Sequence, residues 1–242
     1  MDLRQKKQAH RQPDDPSTIG DTWIWKAIAL PSHLRVVHHL SHERSEQEAT
    51  RFLAAFKART DGQPPLFTSD KLPAYIEALI ANYSTPKPPP RRRRRGRPPK
   101  QPRRVLEPTL GYAQIDKHRA GGRVVEVCRH IVFGSTETIT EILGDKQINT
   151  SYVERDNLTS RQSNGRLVRK TLSHSKKVYY LQRHLDLEDT VFNLSVTVLS
   201  RVKRHTSIVQ WACISACSYR DALAPGRRGI ARSHGDHCRG SS

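Results

Sequence analysis

The chain is poor in apolar residues, in acidic residues and in cysteine, and each shortage excludes a class of protein. Hydrophobic residues make up 35% of its 242 positions, and no apolar run approaches the roughly 18 residues that a membrane-spanning helix needs. The four cysteines, Cys128, Cys213, Cys217 and Cys238, are too few and too scattered for a disulfide framework. The polar, charged N-terminus is unlike a secretion signal. We therefore expect a reducing, cytoplasmic setting.

Acidic residues are scarce: the sequence contains 23 Asp and Glu residues against 42 Lys and Arg residues, which gives a net charge of +19. An excess of this size favours polyanionic partners, and nucleic acid is the commonest of these. Association with the ribosome or with a membrane surface is the alternative.

The pattern over residues 21–83 predicts an α/β or α+β sheet domain. Thr22 to Leu30 (T-W-I-W-K-A-I-A-L) is apolar on both faces, which predicts an interior strand. The elements expected after it are an antiparallel strand over Leu34–Leu40, a helix over Glu43–Arg59, a short strand over Leu66–Thr68 and a helix from Pro73 to about Asn82. This order predicts one part of a layered catalytic domain.

Asp70 follows the short strand directly. Sheet enzymes place working groups at the carboxyl ends of strands, so Asp70 is a candidate catalytic residue. The alternative is that Asp70 caps the amino end of the helix that follows it.

Residues 84–104 form a basic Pro- and Arg-rich segment that cannot bury a core, so we predict a disordered, AT-hook-like linker. The R-G-R-P sequence at Arg95 to Pro98 is similar to an AT-hook, in which arginines follow a narrow minor groove. The predicted phosphate-binding residues are Arg91, Arg92, Arg93, Arg94, Arg95 and Arg97. A plain basic linker or a targeting signal is the alternative.

The remaining pattern predicts a second part of the domain over residues 105–193, a polar segment over 1–20 and an irregular, disordered tail over 194–242. Within 105–193, Arg123–Val127 is a strand candidate and Leu167–Asn193 has helical periodicity. The closing sequence shows no sustained periodicity.

The most informative motif is I-N-T-S-Y-V-E-R-D-N-L-T-S-R, from Ile148 to Arg161. In a helix, Glu154, Asn157 and Arg161 lie on one face because they are spaced at i, i+3 and i+7. A carboxylate beside an amide and a guanidinium suits a metal ion held near a phosphate. Together with Asp70, Glu154 offers the oxygen ligands that Mg²⁺ (or Mn²⁺) prefers during phosphoryl transfer.

Several motifs resemble those of IS1-type insertion-sequence transposases, which belong to the DDE superfamily and have an RNase H-like fold. They occur in the family's order over roughly residues 5–193. The matching pieces are G-D-T-W-I-W-K-A-I (Gly20–Ile28), the helix over Ala49–Ala58, F-T-S-D-K-L-P-A-Y (Phe67–Tyr75), the Ile148–Arg161 motif and L-S-H-S-K-K (Leu172–Lys177).

The resemblance implies that Asp70 is the second metal-binding acid and Glu154 the third. Arg155, Asn157 and Arg161 would flank the site or hold DNA, and Lys176 and Lys177 would contact the DNA backbone. The reaction would be Mg²⁺-dependent hydrolysis at the element's ends, followed by attack of the freed 3′-hydroxyl on target DNA. The implied partners are the transposon ends and the target, at the nucleoid, and a homo-oligomer is left open.

Two departures from the family pattern predict impaired catalysis. The family's first acid lies in an Asp-Glu-x-Trp-Ser-Phe strand ahead of Lys-Lys-Gln, but only Met1 to Gln5 precede Lys6-Lys7-Gln8 here. Neither Asp2 nor Asp21 stands in that motif. We therefore expect a copy truncated at the N-terminus that forms a partial RNase H-like sheet without its central strand. After Asn193 the family's closing segment is replaced by altered sequence. The alternative function is a non-enzymatic, basic DNA-binding remnant or a regulator of transposition.

Three weaker signals are interpreted structurally. Cys213 and Cys217, even with His234 and Cys238, lack the spacing of common zinc fingers, so we predict no zinc site there. The histidines His38, His39 and His42 are expected at the surface, and Trp23 and Trp25 in the core.

Overall fold

The structure is a computed structural model that describes residues 22–30, 32–87, 103–168, 175, 177–200 and 211–218. Its strands are β1 (Trp23–Leu30), β2 (Leu34–Ser41), β3 (Leu66–Asp70), β4 (Ser84–Lys87), β5 (Arg103–Leu106), β6 (Gly111–Ala120), β7 (Arg123–Phe133) and β8 (Trp211–Ser218). Its helices are α1 (Glu46–Arg59), α2 (Ala74–Asn82), α3 (Thr136–Leu143), α4 (Ser151–Ser163) and α5 (Val178–Ser200). None of the described helices is long and apolar enough to cross a membrane.

One mixed sheet of six strands organises the fold, in the order β2-β1-β8-β3-β6-β7. The three strands β8, β3 and β6 run parallel to one another, while β1 is antiparallel to β8 and the outer strands β2 and β7 are antiparallel to their neighbours. The chain is therefore a mixed α/β protein, and the predicted strands and helices of residues 21–83 are present.

The centre of the sheet differs from the expectation that its central strand is missing. Strand β8 lies between β1 and β3, with Lys26 opposite Ser215 on one side and Thr68 opposite Cys213 on the other. Residues 194–200 also continue helix α5. Both stretches lie in the tail that the sequence predicts to be irregular. The short W-A-C-I-S-A-C-S segment becomes a strand because two neighbours pair with its backbone, a tertiary effect that local periodicity does not record.

An aromatic core covers one face of the sheet, between the strands and helices α1 and α2. Its largest members are fully buried and come from both layers: Trp25, Phe52, Phe56, Phe67, Tyr75 and Tyr112. Helix α1 directs Ala49, Phe52, Leu53 and Phe56 into this core, which is the stripe that its sequence spacing predicts. The ring of Trp25 meets that of Tyr75 edge to face at 5.8 Å. The prediction that Trp25 packs in the core is confirmed.

The opposite face of the sheet carries α3, α4 and α5 over smaller apolar clusters. One cluster joins Leu66 and Cys213 of the sheet to Ile139 of α3 and Val153 of α4. Another joins Ile24 to Leu181 and Leu185 of α5. The candidate site residues lie on this face.

The predicted basic linker begins and ends in regular structure. Strands β4 and β5 pair antiparallel, with Lys87 opposite Arg103, so the two ends of the segment between them are adjacent. Residues 84–87 and 103–104 therefore differ from the predicted disorder. Residues 88–102, with the AT-hook-like sequence and its arginines, lie outside the described residues.

Other boundaries also differ from the predictions. Helix α5 begins at Val178 rather than Leu167, because residues 165–167 form a turn after α4 in which Leu167 N–H donates to Asn164 O. Strand β7 reaches Phe133, six residues beyond the predicted end at Val127, because it pairs along the whole of β6.

Candidate functional site

Asp70 is the last residue of β3, the strand that lies between β8 and β6 in the sheet. Its Oδ2 accepts a hydrogen bond from Arg44 Nη2 at 2.9 Å. The following helix begins at Ala74, and its N-cap residue, Pro73, makes no side-chain cap bond. The alternative that Asp70 caps this helix is therefore wrong, and the carboxylate is directed to Arg44 instead.

The environment of Asp70 disfavours its ionised form. Burial is the largest cause that raises the pKa of Asp70, the neighbouring Arg44 opposes it, and the charge of Glu154 raises the pKa further. The second oxygen, Oδ1, is buried and has no hydrogen-bond partner among the described residues. A carboxylate oxygen in this condition is stabilised by a proton or by a cation.

Glu154 lies in the first turn of α4, so the predicted helix over this motif is confirmed. Its Oε1 accepts hydrogen bonds from Lys117 Nζ of β6 and from Thr150 Oγ1, the residue that precedes the helix. Its side chain is 55% exposed. The amino end of a helix favours negative charge, so this position suits a carboxylate that faces solvent.

The structure brings the two predicted acids into one electrostatic neighbourhood. The charge of Glu154 acts on Asp70, and both charges act on the thiol of Cys213 in β8. Burial, the largest cause, and these two carboxylates raise the pKa of Cys213 to about 11. Each acid also has its own basic partner, Arg44 for Asp70 and Lys117 for Glu154.

The central strand supplies no carboxylate beside Asp70. The ladder between β3 and β8 ends with Thr68 opposite Cys213, and Ser215 lies two residues further along β8, on the same face as Cys213 and opposite Lys26 of β1. Ser215 Oγ accepts a hydrogen bond from Asn157 Nδ2 of α4 at 3.2 Å. A hydroxyl and an amide therefore lie beside Lys26 on the central strand, and β8 itself contains no acidic residue.

The predicted DNA-binding residues are divided between solvent and the sheet. Arg155 of α4 and Lys177, just before α5, are exposed. Arg161 is half-buried beside Lys26 in a small pocket, and Asn157 points to β8 rather than to solvent. Lys176 and the arginines of residues 91–97 lie outside the described residues.

Sequence reasoning missed Asp156, which is only 6% exposed beneath α4. Its Oδ1 accepts a hydrogen bond from Arg35 Nε at 2.6 Å, and its Oδ2 lies 3.4 Å from Lys26 Nζ. Ser160, one turn further along α4, accepts from both Lys26 Nζ and Arg35 Nη2. This buried charge network fixes the inner face of α4 and so fixes the helix that carries Glu154.

Helix α5 extends the same network. Arg35 Nη1 donates to Glu188 Oε1 at 2.8 Å and to Asp189 Oδ1 at 3.2 Å. His38 is 8% exposed and pairs through Nδ1 with Asp189 Oδ2 at 2.5 Å. The expectation that His38 lies at the surface is therefore wrong, because its partner comes from a helix more than a hundred residues away in sequence.

One signal for this network is present in the sequence. Lys26 stands in the middle of the otherwise apolar T-W-I-W-K-A-I-A-L strand, and a buried lysine requires a counter-charge. The inner face of α4 reads Val153, Asp156 and Ser160, which is unusually polar for a buried face. A buried lysine and a buried acid have opposite charges, so each is a possible partner for the other. Their pairing depends on the tertiary fold and not on the local sequence.

The donor set fits a divalent hard cation. Mg²⁺ is commonly held by one or two carboxylates together with phosphate oxygens and water. Asp70 and Glu154 supply two carboxylates, and the buried Oδ1 of Asp70 lacks a partner among the described residues. Arg44 and Lys117 would each have to share or release its carboxylate when such an ion binds.

Comparison with known proteins adds no family. The chain matches no protein-family model, no curated protein and no solved structure at a significant level.

Proposed function

We propose that the chain is a transposase-like DNA-binding protein of an insertion sequence, with an RNase H-like fold and an impaired site for Mg²⁺-dependent strand cleavage and transfer. The observation that carries the proposal is that Glu154 lies close enough to Asp70 for its charge to raise the pKa of that carboxyl. These are the two acids that the family resemblance assigns to the metal.

The expected DNA contacts support the proposal through their charge and placement. A net charge of +19 favours a polyanion. Arg155 follows Glu154 directly in α4, and both side chains are exposed to solvent. A phosphate held by Arg155 would lie beside the turn of α4 that carries Glu154, and phosphoryl transfer requires a phosphate positioned near such a carboxylate. Binding of this kind would place the protein at the nucleoid.

The chemistry assigned to the acids follows from their surroundings. A Mg²⁺ ion held by Asp70 and Glu154 would supply a Lewis acid for a phosphodiester oxygen. When no ion is bound, Arg44 pairs with Asp70 and Lys117 pairs with Glu154, so each carboxylate has its own counter-charge. Exposed arginine would orient the DNA backbone and offset the charge that develops on the phosphate.

Ser215 explains why catalysis is impaired in this proposal. The resemblance places the family's first acid on the central strand of the sheet, and here that position is held by β8. Strand β8 contains no acidic residue, and its Ser215, two residues beyond the partner of Thr68, is bonded to Asn157. Two carboxylates with no third bind Mg²⁺ weakly, and the ion then depends on the DNA phosphate for its remaining ligands.

A non-enzymatic function is the second candidate, and a specific observation favours it. Both acids are already engaged by basic side chains, so the described site is charge-balanced without a metal. A protein of this kind would coat DNA or interfere with an intact transposase. The two candidates share DNA binding and differ only in cleavage.

The experiment that tests DNA binding is a gel shift on random-sequence duplex at increasing salt. The logarithm of the binding constant should fall linearly with the logarithm of the salt concentration. Arg155→Gln should weaken binding and reduce that slope by about one. Arg51→Gln is the matched control, since it removes the same charge from α1 on the opposite face of the sheet. Salt-insensitive binding, or equal losses in both variants, would contradict the proposed surface.

The experiment that separates the two candidates measures nicking of a labelled supercoiled plasmid with Mg²⁺ or Mn²⁺. An impaired transposase should nick slowly, and Glu154→Gln should abolish the activity without changing the gel shift. A plasmid that is shifted but never cut, identically for both proteins, would favour the non-enzymatic candidate.

A further inference from the structure

A second cluster of ligating side chains lies on the outer hairpin formed by β6 and β7, away from the Asp70–Glu154 pair. The register places His118 opposite Glu126 and Asp116 opposite Cys128. Side chains of opposite residues in an antiparallel pair share a face, and so do residues two apart along a strand. These four side chains therefore form a square on one face of the hairpin.

Three members of the square are within reach of a single ion. The ligating atoms of His118, Glu126 and Cys128 all lie within 4.8 Å of one another. Around a tetrahedral zinc ion, with metal–ligand distances of about 2.0 to 2.3 Å, neighbouring ligand atoms are about 3.3 to 3.8 Å apart. His118 and Glu126 are exposed and Cys128 is half-buried, so closing this difference requires only side-chain rotation.

The chemistry of the three donors selects a class of metal. A thiolate, an imidazole and a carboxylate together favour Zn²⁺ or a similar borderline transition metal over Mg²⁺, which prefers oxygen ligands alone. We propose that His118, Glu126 and Cys128 form a site for Zn²⁺ or a related divalent transition metal. Nothing in this proposal depends on the transposase-like function.

Asp116 completes the surroundings of the proposed site. Its Oδ2 lies 3.7 Å from His118 Nε2 and 2.8 Å from Lys71 Nζ. The hydrogen bond from Lys71 is the largest cause that lowers the pKa of Asp116. A carboxylate beside a ligating histidine commonly orients its ring, so Asp116 is a positioning residue and the fourth metal position is open to water.

An ion at this site would cross-link the two strands of the hairpin. Most of β7 is exposed, including Val124, Val125 and Val127, so the outer half of the hairpin has little packing of its own. A metal bound by both strands would stabilise their pairing in the folded state. Binding of Zn²⁺ should therefore raise the melting temperature of the protein.

The test is a Co²⁺ titration of the reduced, full-length protein, followed by its absorption spectrum. We expect a thiolate-to-cobalt charge-transfer band that saturates at one equivalent and is displaced by Zn²⁺. Cys128→Ser should abolish the band. His118→Asn and Glu126→Gln should weaken Co²⁺ binding by at least about tenfold, since outer-shell changes alone cost about that much.

The matched controls separate this site from two other cysteines, Cys217 and Cys238, and from the acid pair. Cys217→Ser, Cys238→Ser and Glu154→Gln should leave the band unchanged, and circular dichroism should show that Cys128→Ser is folded. The Zn²⁺-dependent rise in melting temperature should be lost in Cys128→Ser and in Glu126→Gln. Absence of the band in the natural sequence, its survival in Cys128→Ser, or its loss in Cys217→Ser or Cys238→Ser would overturn the proposal.

Discussion

The two faces of the central sheet bury different kinds of side chain. The face under α1 and α2 is aromatic and apolar, with Trp25, Phe52 and Phe67 fully buried. The face under α4 and α5 carries charge into the interior, with Lys26, Arg35 and Asp156 each no more than 6% exposed. The apolar face stabilises the protein by removing apolar surface from water, an effect that has no directional requirement. The charged face holds α4, and therefore Glu154, in one position.

This difference has an energetic consequence that can be measured. Removing apolar volume from one face costs transfer and cavity energy. Removing Asp156 from the buried network on the other face leaves Lys26 without its carboxylate, while Arg35 keeps only Glu188 and Asp189. Both changes should destabilise the protein, but only the second should also disturb the candidate site.

The largest expected effect is that of Phe52→Ala on the apolar face. Loss of this ring from a fully buried position should lower the free energy of unfolding by about 4 kcal/mol. Urea denaturation measures the change. Leu158→Ala, at a 54% exposed position of α4, is the control and should alter stability by no more than about 0.5 kcal/mol. Equal effects would contradict the assignment of the core.

Asp156→Ala should have the next largest effect. It leaves Lys26 and Arg35 buried without their shared carboxylate, which should cost about 3 kcal/mol of unfolding free energy. Asp186→Ala is the control, because Asp186 is 40% exposed and such surface pairs contribute about 1 kcal/mol or less. Urea denaturation of both variants compares the two. A loss no larger than that of the control would show that the buried network does not anchor α4.

The dependence of stability on pH should reveal Asp189. Burial alone would raise the pKa of Asp189, but the hydrogen bond and charge of His38, together with the charges of Lys26 and Arg35, lower it below the ordinary value of an aspartate. A carboxyl whose folded pKa is depressed contributes stability above its unfolded pKa, and that stability is lost as the pH falls through the folded pKa. Melting temperatures of Asp189→Asn should therefore fall less than those of the natural sequence as the pH drops below about 4, the ordinary pKa of an aspartate.

If the melting temperatures of Asp189→Asn and of the natural sequence fall equally at acidic pH, the assignment of this pH dependence to Asp189 is contradicted. Asp186→Asn is a suitable control, since it changes a more exposed carboxylate on the same helix.

The smallest effect should come from Asp70→Asn, and its sign should be opposite. Burial raises the pKa of Asp70, so ionisation of this carboxyl is less favourable in the folded protein than in the unfolded chain. A neutral amide should therefore stabilise the protein slightly, by less than about 1 kcal/mol. Thermal denaturation at pH 7 measures this change. A clear loss of stability would show that the pairing with Arg44 outweighs the desolvation of the carboxylate.

The sequence predicts one half of this molecule well for a physical reason. The early strands and helices are delimited by proline, glycine and regular periodicity, so local pattern is sufficient for β1, β2, α1 and α2. Glu154 and Asp70 could be proposed because each stands beside a recognisable motif. Their shared site is a prediction from the motif resemblance, and in the structure the charge of Glu154 raises the pKa of Asp70.

The other half depends on contacts between distant residues. Strand β8 has eight residues, and its place between β1 and β3 is decided by backbone pairing across the sheet. Asp156 stands two residues after Glu154, yet its burial depends on Lys26 and Arg35 more than a hundred residues away. Helix α3 is a short amphipathic segment. Its apolar residues Ile139 and Leu143 are buried only because they pack in a cluster with residues from distant parts of the chain.

The measurement that tests the central account most directly is plasmid nicking by Ser215→Asp. This change adds a carboxylate to the central strand, two residues beyond the partner of Thr68 and opposite Lys26, which supplies a counter-charge. With Mg²⁺, the variant should nick supercoiled DNA faster than the natural sequence by at least about tenfold, a difference of about 1.4 kcal/mol in the barrier. Adding Glu154→Gln to it should remove the gain. If a folded Ser215→Asp protein binds DNA and nicks no faster, the assignment of Asp70 and Glu154 to an incomplete metal site is contradicted.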